Sequence, residues 1–314
     1  MKTEEMILCP VCRQTTSKIK VKDWKSYTLF RCDQCDVIFS QPFIAGDSTW
    51  YEASGIYQLA KYYKKLYWHH DQFLAAPPPG RTLLDVGCNN GVFLHYAEKL
   101  GYEVTGMDFN PHSLEAGRQA FGLKRLHCCT LGEFMEKFPG EKFDVITVFE
   151  VLEHLDEPNE FIENVKGLLN PGGYIVVSLP NRDMMINPLG DSDYPPHHLT
   201  KWSFRSIENF VRSHGCTVVT HNIKGITAED FARWLDYNVI RKFDNSVRKR
   251  VKGMVAQRME KTWQDGETRD MPLLYKMRTL ELAFLRGLFW PVALIFRLAK
   301  TQGMGQYVLA KIDS

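Results

Sequence analysis

Charge of one sign is what this chain most plainly lacks. Its 39 Lys and Arg stand against 37 Asp and Glu, a net charge of +2 with pI near 8.0, so no global polyelectrolyte character marks nucleic acid as the default partner. Long hydrophobic runs are missing as well: the uncharged span from Gly287 to Phe296 is too short to cross a bilayer. The opening MKTEEMILCP carries acids where a signal peptide would carry a basic region, and no long apolar run follows it. Export is therefore not expected, and a cytoplasmic protein is. A small secreted disulfide framework is excluded too, because eight cysteines in 314 residues are too dilute for one.

What cysteine there is falls in a pattern. Cys9-Pro-Val-Cys12 and Cys32-Asp-Gln-Cys35 are two CxxC knuckles separated by nineteen residues that include the strand-like stretch Tyr27 to Arg31. That is zinc-ribbon spacing. Each knuckle presents two thiolates to one tetrahedral ion, and about forty residues with little core of their own need such a staple to fold. The expected ion is a structural Zn2+ on Cys9, Cys12, Cys32 and Cys35, since four thiolates leave no open position for chemistry.

From 41 to 79 the sequence is aromatic, with helical spacing near Ile56 to Leu74 that carries Tyr57, Tyr62, Tyr63, Tyr67 and Trp68. This stretch reads as a linker helix packing the ribbon on the main domain, or as a lid over a ligand. Pro77-Pro78-Pro79-Gly80 ends it. Beyond lies alternation: strands at Thr82–Val86, Glu103–Asp108, Arg125–Cys128, Asp144–Phe149, Tyr174–Leu179 and Thr217–Ile223, with helical patterns at Val92–Leu100, Pro111–Phe121, Leu131–Phe138, Asn159–Leu169 and Ser203–His214. Such alternation specifies an α/β fold whose mostly parallel sheet binds ligands beyond the carboxyl ends of its strands.

The first of those strands opens TLLDVGCNNGVF, a strand, a glycine turn and a helix start at residues 82–93. Gly87 and Gly91 let backbone approach a ligand, and the helix aims free N–H groups at the turn. About twenty residues on, Asp108 closes the second strand, where a carboxylate can accept from both hydroxyls of a ribose. The motifs LLDVGCNNG, GMDFNP, FDVITVFEVLEHL and LLNPGGYIVVSLPN follow in that order. Together they resemble the class I S-adenosylmethionine-dependent methyltransferases from Thr82 to about Lys224. The resemblance implies a Rossmann-like seven-stranded sheet. It also implies a cofactor site in which Asp85, Gly87, Cys88, Asn89 and Gly91 hold the methionine portion, Asp108 the ribose, and Phe109, Thr130 and Leu131 the adenine. Asn89 replaces the usual middle glycine, a tolerable change because Asn accepts left-handed backbone better than other side chains. A nicotinamide dehydrogenase would want GxGxxG, which GCNNG does not supply.

Two further stretches carry candidate chemistry. Glu150, Glu153 and His154 end the fourth strand, where they can line the cofactor pocket, act as acid or base, or hold a cation such as Mg2+. This string resembles the ExxEH constellation of small-RNA 2'-O-methyltransferases and ubiquinone-pathway O-methyltransferases. After the fifth strand, Tyr194-Pro-Pro-His197-His198 puts a histidine pair on a proline-rich loop. His198 there can deprotonate an attacking hydroxyl, since a free imidazole with pKa near 6.5 is largely neutral at cytoplasmic pH. The loop resembles that of zinc-ribbon-bearing sugar methyltransferases.

After Gly225 the pattern reads as a helical insertion to about 302, and GMGQYVLAKI as a final edge strand of the core. Residues 241 to 261 hold eight Lys or Arg with only Asp244 and Glu260, and the apolar run from Leu280 to Ala299 follows. Peripheral contact with an anionic membrane through 241–299, packing on the core, or a homodimer contact are the expectations for this region. The segments are thus 1–40, 41–79, 80–224, 225–302 and 303–314. The expected activity is methyl transfer from S-adenosylmethionine to an oxygen of a sugar-like, glycolipid or other small-molecule acceptor, with His198 as base and His197, Glu153 and His154 beside it. Metal-assisted 2'-O-methylation of an RNA end, sugar C-methylation and an inactive cofactor-binding scaffold are the alternatives.

Overall fold

The computed structural model describes residues 6–46, 65–235, 237–238, 287–296 and 301–313. In chain order the elements are β1 (Met6–Leu8), β2 (Thr15–Ser17), β3 (Ile19–Trp24), β4 (Tyr27–Arg31), β5 (Ile38–Gln41), α1 (Trp68–Ala75), β6 (Thr82–Val86), α2 (Val92–Lys99), β7 (Glu103–Asp108), α3 (Pro111–Phe121), β8 (Leu126–Cys128), α4 (Leu131–Lys137), β9 (Phe143–Phe149), α5 (Pro158–Gly167), β10 (Leu169–Pro180), β11 (Thr200–Lys201), α6 (Phe204–Ser213), β12 (Cys216–Gly225), α7 (Ala228–Leu235) and β13 (Gln302–Ile312). Residues 287–296 are also helical.

The central sheet has seven strands in the order β12-β13-β10-β9-β6-β7-β8. Strands β6 to β10 run parallel, and β13 pairs antiparallel with β10 from Tyr174–Lys311 to Pro180–Gly305. Alternation along each strand splits the core into two faces. Leu84, Val86, Ile146, Val148, Ile175 and Val177 join one cluster with α5 and α6, whereas Leu83, Val145 and Val176 join the other with Phe73 of α1 and Phe93 and Leu94 of α2. Residues that read as one continuous apolar run are therefore buried on both sides, as a parallel sheet requires. Chain order runs outward from β6 through β7 to β8 and then returns to β9 on the other side of β6. The crevice of a topological switch point opens there.

One expectation changes. The last strand is not at the edge: β13 lies between β12 and β10, and β12 takes the edge. An antiparallel strand reached from outside the parallel series can insert where a right-handed crossover is not needed. The helix expected from Ile56 is described only over α1, and residues 56–64 fall outside the described residues. So does the basic run 241–261, and no described helix is long and apolar enough to cross a membrane.

The chain forms two compact units, one of 1–183, 194–223 and 305–314, the other of 184–193 and 224–304. In the second, Asp230 accepts from Thr227 N at 2.9 Å and binds Lys224 Nζ at 3.0 Å, fixing the start of α7. In the first, the ribbon shares one body with the main sheet. Its four-stranded sheet has the order β11-β5-β4-β3, so a strand from after β10 completes it. Asp36, at the second knuckle, takes the guanidinium of Arg182 at 2.8 Å, the hydroxyl of Ser203 at 2.8 Å and Arg31 Nε at 2.6 Å. Burial opposes ionisation of Asp36, but these donors outweigh it and hold the carboxyl pKa down to about 2.

Candidate active site

The glycine turn after β6 is built from left-handed residues: Gly87, Asn89 and Gly91 have φ of 79°, 52° and 68°. Gly91 is also the N-cap of α2. Backbone N–H groups of Gly87 and Cys88 donate to Met107 O at 2.8 and 3.0 Å, which pins the turn against β7. Beneath it Gly106 is a necessity of space, because a Cβ there would stand 2.5 Å from Leu94 Cδ1 and 2.7 Å from Cys88 Sγ. Cys88 thus packs under the turn with its thiol driven up by burial, so only its backbone faces a ligand.

Asp108 Oδ2 accepts from Asn89 N at 2.9 Å and Oδ1 from Asn110 N at 2.8 Å. These bonds aim the carboxylate over the turn and leave each oxygen a second lone pair. Burial still raises its pKa. Asp85 is buried, accepts from Thr147 Oγ1 at 2.6 Å, and is pushed up to about 7 by burial, with the Asp108 charge adding to the shift. Two carboxyls held above their ordinary range, at the N-terminal end of α2, fit a ligand carrying both a cationic group and a ribose. Asn89 Oδ1 is buried and has no partner among the described residues, a further acceptor for such a ligand. Phe109 is 52% exposed at the end of β7. Thr130 caps α4, bonding with Glu133 in both directions, and Leu131 is buried behind it. The expected adenine wall is therefore an exposed ring and the start of a helix.

At the end of β9, Glu150 has φ of 54°, an uncommon conformation for a side chain of this size. It is held by Glu150 N donating to Ser178 O at 2.9 Å and by Ser178 Oγ donating to Glu150 Oε1 at 3.0 Å. His69 Nδ1 of α1 lies 3.8 Å from the same carboxylate oxygen. Among the described residues, Glu150, Glu153 and His154 do not form one group of potential metal ligands. What is gathered is His154, His197 and His198, whose ring nitrogens all lie within 4.8 Å of one another. His154 Nδ1 donates to His197 O at 2.6 Å, and its Nε2 lies 3.9 Å from Glu153 Oε1. Burial, then the neighbouring His198 and His197, holds the His154 pKa well below its ordinary value, so this ring stays neutral. Three imidazoles suit a borderline cation such as Zn2+ better than Mg2+, which prefers oxygen.

The histidine loop hangs between two anchors. His197 N and His198 N donate to Tyr194 O at 3.2 and 3.3 Å, and Leu199 N donates to Glu153 O at 2.8 Å while Ser40 N of β5 donates to Leu199 O at 2.9 Å. The ribbon and the end of β9 thereby share one residue of this loop.

The four cysteines also come together. Cys9 Sγ and Cys35 Sγ are 3.8 Å apart, and Cys12 Sγ and Cys32 Sγ 3.7 Å. A tetrahedral ion with Zn–S bonds of about 2.3 Å needs sulfur pairs about 3.8 Å apart, so the donor set fits. The knuckles repeat one geometry: Arg13 N donates to Cys9 O and Asp36 N to Cys32 O, with Arg13 and Asp36 both left-handed. Without a cation the thiols cannot all ionise: the Cys35 contact lowers Cys9 to about 6, while burial pushes Cys12 to about 12 and the Cys9 contact drives Cys35 up.

Residues 59–222, which enclose this turn, both carboxylates and both histidine segments, match the family described as methyltransferase domain. The chain belongs to that family. Its curated relatives include the ubiquinone biosynthesis O-methyltransferase of Glaesserella parasuis serovar 5, 36% identical over 33% of this chain and 47% of the relative. The enzyme of the same name from Actinobacillus pleuropneumoniae serotype 5b is 31% identical over 44% of this chain and 62% of the relative. The chain thus spans about half to three fifths of the curated relatives it matches. A solved S-adenosylmethionine-dependent methyltransferase from Archaeoglobus fulgidus aligns with 84% of this chain at TM-score 0.47 and 16% identity, covering 100% of that chain.

Sequence reasoning missed the other wall of the site. His69 stacks on Phe149 at 4.9 Å and His70 on Phe93 at 5.1 Å, so α1 lines the cradle through its histidines. The adjacent His69-His70 pair was the available signal, hidden in a stretch whose aromatic content reads as packing.

Proposed function

We propose that the protein transfers a methyl group from S-adenosylmethionine to an oxygen of a small-molecule acceptor, sugar-like or glycolipid in character. The observation that carries this reading is the histidine cluster at the strand ends, on the same edge of the sheet as the left-handed turn and Asp108. The name of the relatives, O-methyltransferase, supports oxygen as the accepting atom.

When bound, S-adenosylmethionine supplies a methyl on a positively charged sulfur. The chain's residues do the rest. The turn of Gly87, Asn89 and Gly91 offers backbone to the amino-acid end, Asp85 neutralises its cationic group, and Asp108 accepts from the ribose. Phe109 and Leu131 flank the adenine. Holding donor and acceptor in line supplies most of the rate by orientation. His198 takes the acceptor's proton, with neutral His154 and Glu153 behind it setting the loop's position. Zn2+ on the four cysteines has a structural role, fixing the ribbon that anchors the loop through Ser40 and β11. The exposed Leu288, Trp290, Leu294 and Ile295 on helical residues 287–296 support peripheral contact with a membrane carrying the acceptor.

The test is transfer of labelled methyl from S-adenosylmethionine into a native extract. Label in the small-molecule fraction, lost with His198→Ala, is expected. Label confined to RNA, or binding of the cofactor without any transfer, would contradict the reading.

A further inference from the structure

One face of the ribbon carries a cluster that neither the zinc nor the proposed chemistry uses. Trp24, at the end of β3, stacks on Tyr194 with ring centroids 4.4 Å apart and planes 22° from parallel. Three ammonium groups from three places in the chain meet this pair. Lys22 Nζ of β3 lies 4.2 Å from the Tyr194 centroid and 5.1 Å from that of Trp24, and donates to Tyr194 Oη at 3.1 Å. Lys201 Nζ of β11 lies 4.3 Å from the Tyr194 centroid, and Lys25 Nζ, in the turn after β3, 5.5 Å from that of Trp24.

Like charges gathered around one aromatic pair repel, and the rings offset only part of that cost. The nearest acid along β3 does not neutralise Lys22 or Lys25: Asp23 is taken by Lys20 at 2.6 Å and Thr28 at 3.0 Å. Lys22 and Lys25 have no ion pair among the described residues. The platform is also close to the chemistry, because Tyr194 is three residues before His197, a distance of at most about 10 Å along the chain.

We propose that Lys22, Lys25 and Lys201 form the phosphate subsite of the acceptor, so that this protein methylates a phosphorylated small molecule. The phosphate rests against the ammonium groups beside Trp24 and Tyr194, and the acceptor hydroxyl reaches the histidine loop. The recognition is charge-assisted hydrogen bonding to oxyanions, reinforced by flat aromatic walls. Naming the ligand as the acceptor rests on the methyltransferase reading; the anion site itself does not.

Calorimetric titration of the full chain with inorganic pyrophosphate tests this, with S-adenosylhomocysteine titrated into the same samples. Saturable pyrophosphate binding is expected, weakening with added salt. In the triple variant K22Q/K25Q/K201Q its dissociation constant should rise at least about tenfold, since three charge-assisted contacts are removed together. S-adenosylhomocysteine binding should not change, which also shows that the variant is folded. Absent pyrophosphate binding, or binding equal in both proteins, overturns the subsite. Anionic phosphatidylglycerol vesicles that bind the parent but not the variant, with no response to pyrophosphate, would assign the patch to a membrane and overturn it as well. Failure of S-adenosylhomocysteine to bind the parent strikes the cofactor reading instead and leaves the pyrophosphate result to stand on its own.

Discussion

The cysteine cluster of the ribbon and the histidine cluster at the strand ends each bring metal-ligating atoms within 4.8 Å of one another, yet their parts arrive by different routes. Each pair of cysteines comes from one knuckle, where CxxC spacing and a left-handed residue four positions on set the geometry locally. The histidines come from the end of β9 and from a loop after β10, brought together by sheet topology and by a strand pairing with the ribbon. One cluster is arranged by local sequence. The other is a set of ligands, or of bases, made by a fold. The two are joined at Leu199, so disturbing the first should reach the second, and the reverse should not hold.

The strongest test of that asymmetry is Cys32→Ser. Loss of one thiolate removes metal-linked folding energy, and thermal melting is expected to fall by about 10 °C or more, together with transfer activity. His197→Ala, in contrast, should leave melting nearly unchanged while lowering activity, and equal melting losses in the two variants would break the distinction. For His198→Ala, single-turnover assays should find the transfer rate reduced about 10²- to 10⁴-fold with cofactor affinity retained.

Protonation gives smaller, signed effects. Burial raises the Asp85 pKa to about 7, above its unfolded value, so the unliganded protein's share of stability from this group is full below about pH 4 and declines as pH rises through 7. A cationic ligand reverses the preference. S-adenosylhomocysteine affinity should therefore fall up to about tenfold per unit as pH drops below 7, and Asp85→Asn should flatten that dependence. His70 is shifted the other way, to about 3 by burial, so its contribution is present above about pH 6.5 and is lost as pH falls toward 3. Melting of His70→Phe should accordingly match or fall slightly below the parent at pH 8, where the His70 bond to Tyr67 N is lost, and exceed it at pH 4.5.

Legibility followed the same divide between local and distant. Strands β6 and β7 and helix α3 have the ends that periodicity, the glycine turn and the Asn110 cap imply, because those signals lie within a few residues. The knuckles and the turn could be read for the same reason. The placement of β13 inside the sheet could not, since nothing in GMGQYVLAKI says which neighbour it will take. Nor could the turning of Glu150 toward Ser178 and His69, which depends on residues 28 and 81 positions away. The histidines of α1 were present in the sequence, but their role appears only when Phe93 and Phe149 stand beside them.

The methyl-transfer reading rests on the strand-end cradle holding S-adenosylmethionine through Asp108, and calorimetry with S-adenosylhomocysteine addresses it directly. The account predicts saturable binding to the parent protein and, in Asp108→Ala, a loss of about tenfold or more, as removal of a charge-assisted acceptor from a ribose implies. No binding to the parent, or equal binding to both proteins, would contradict it.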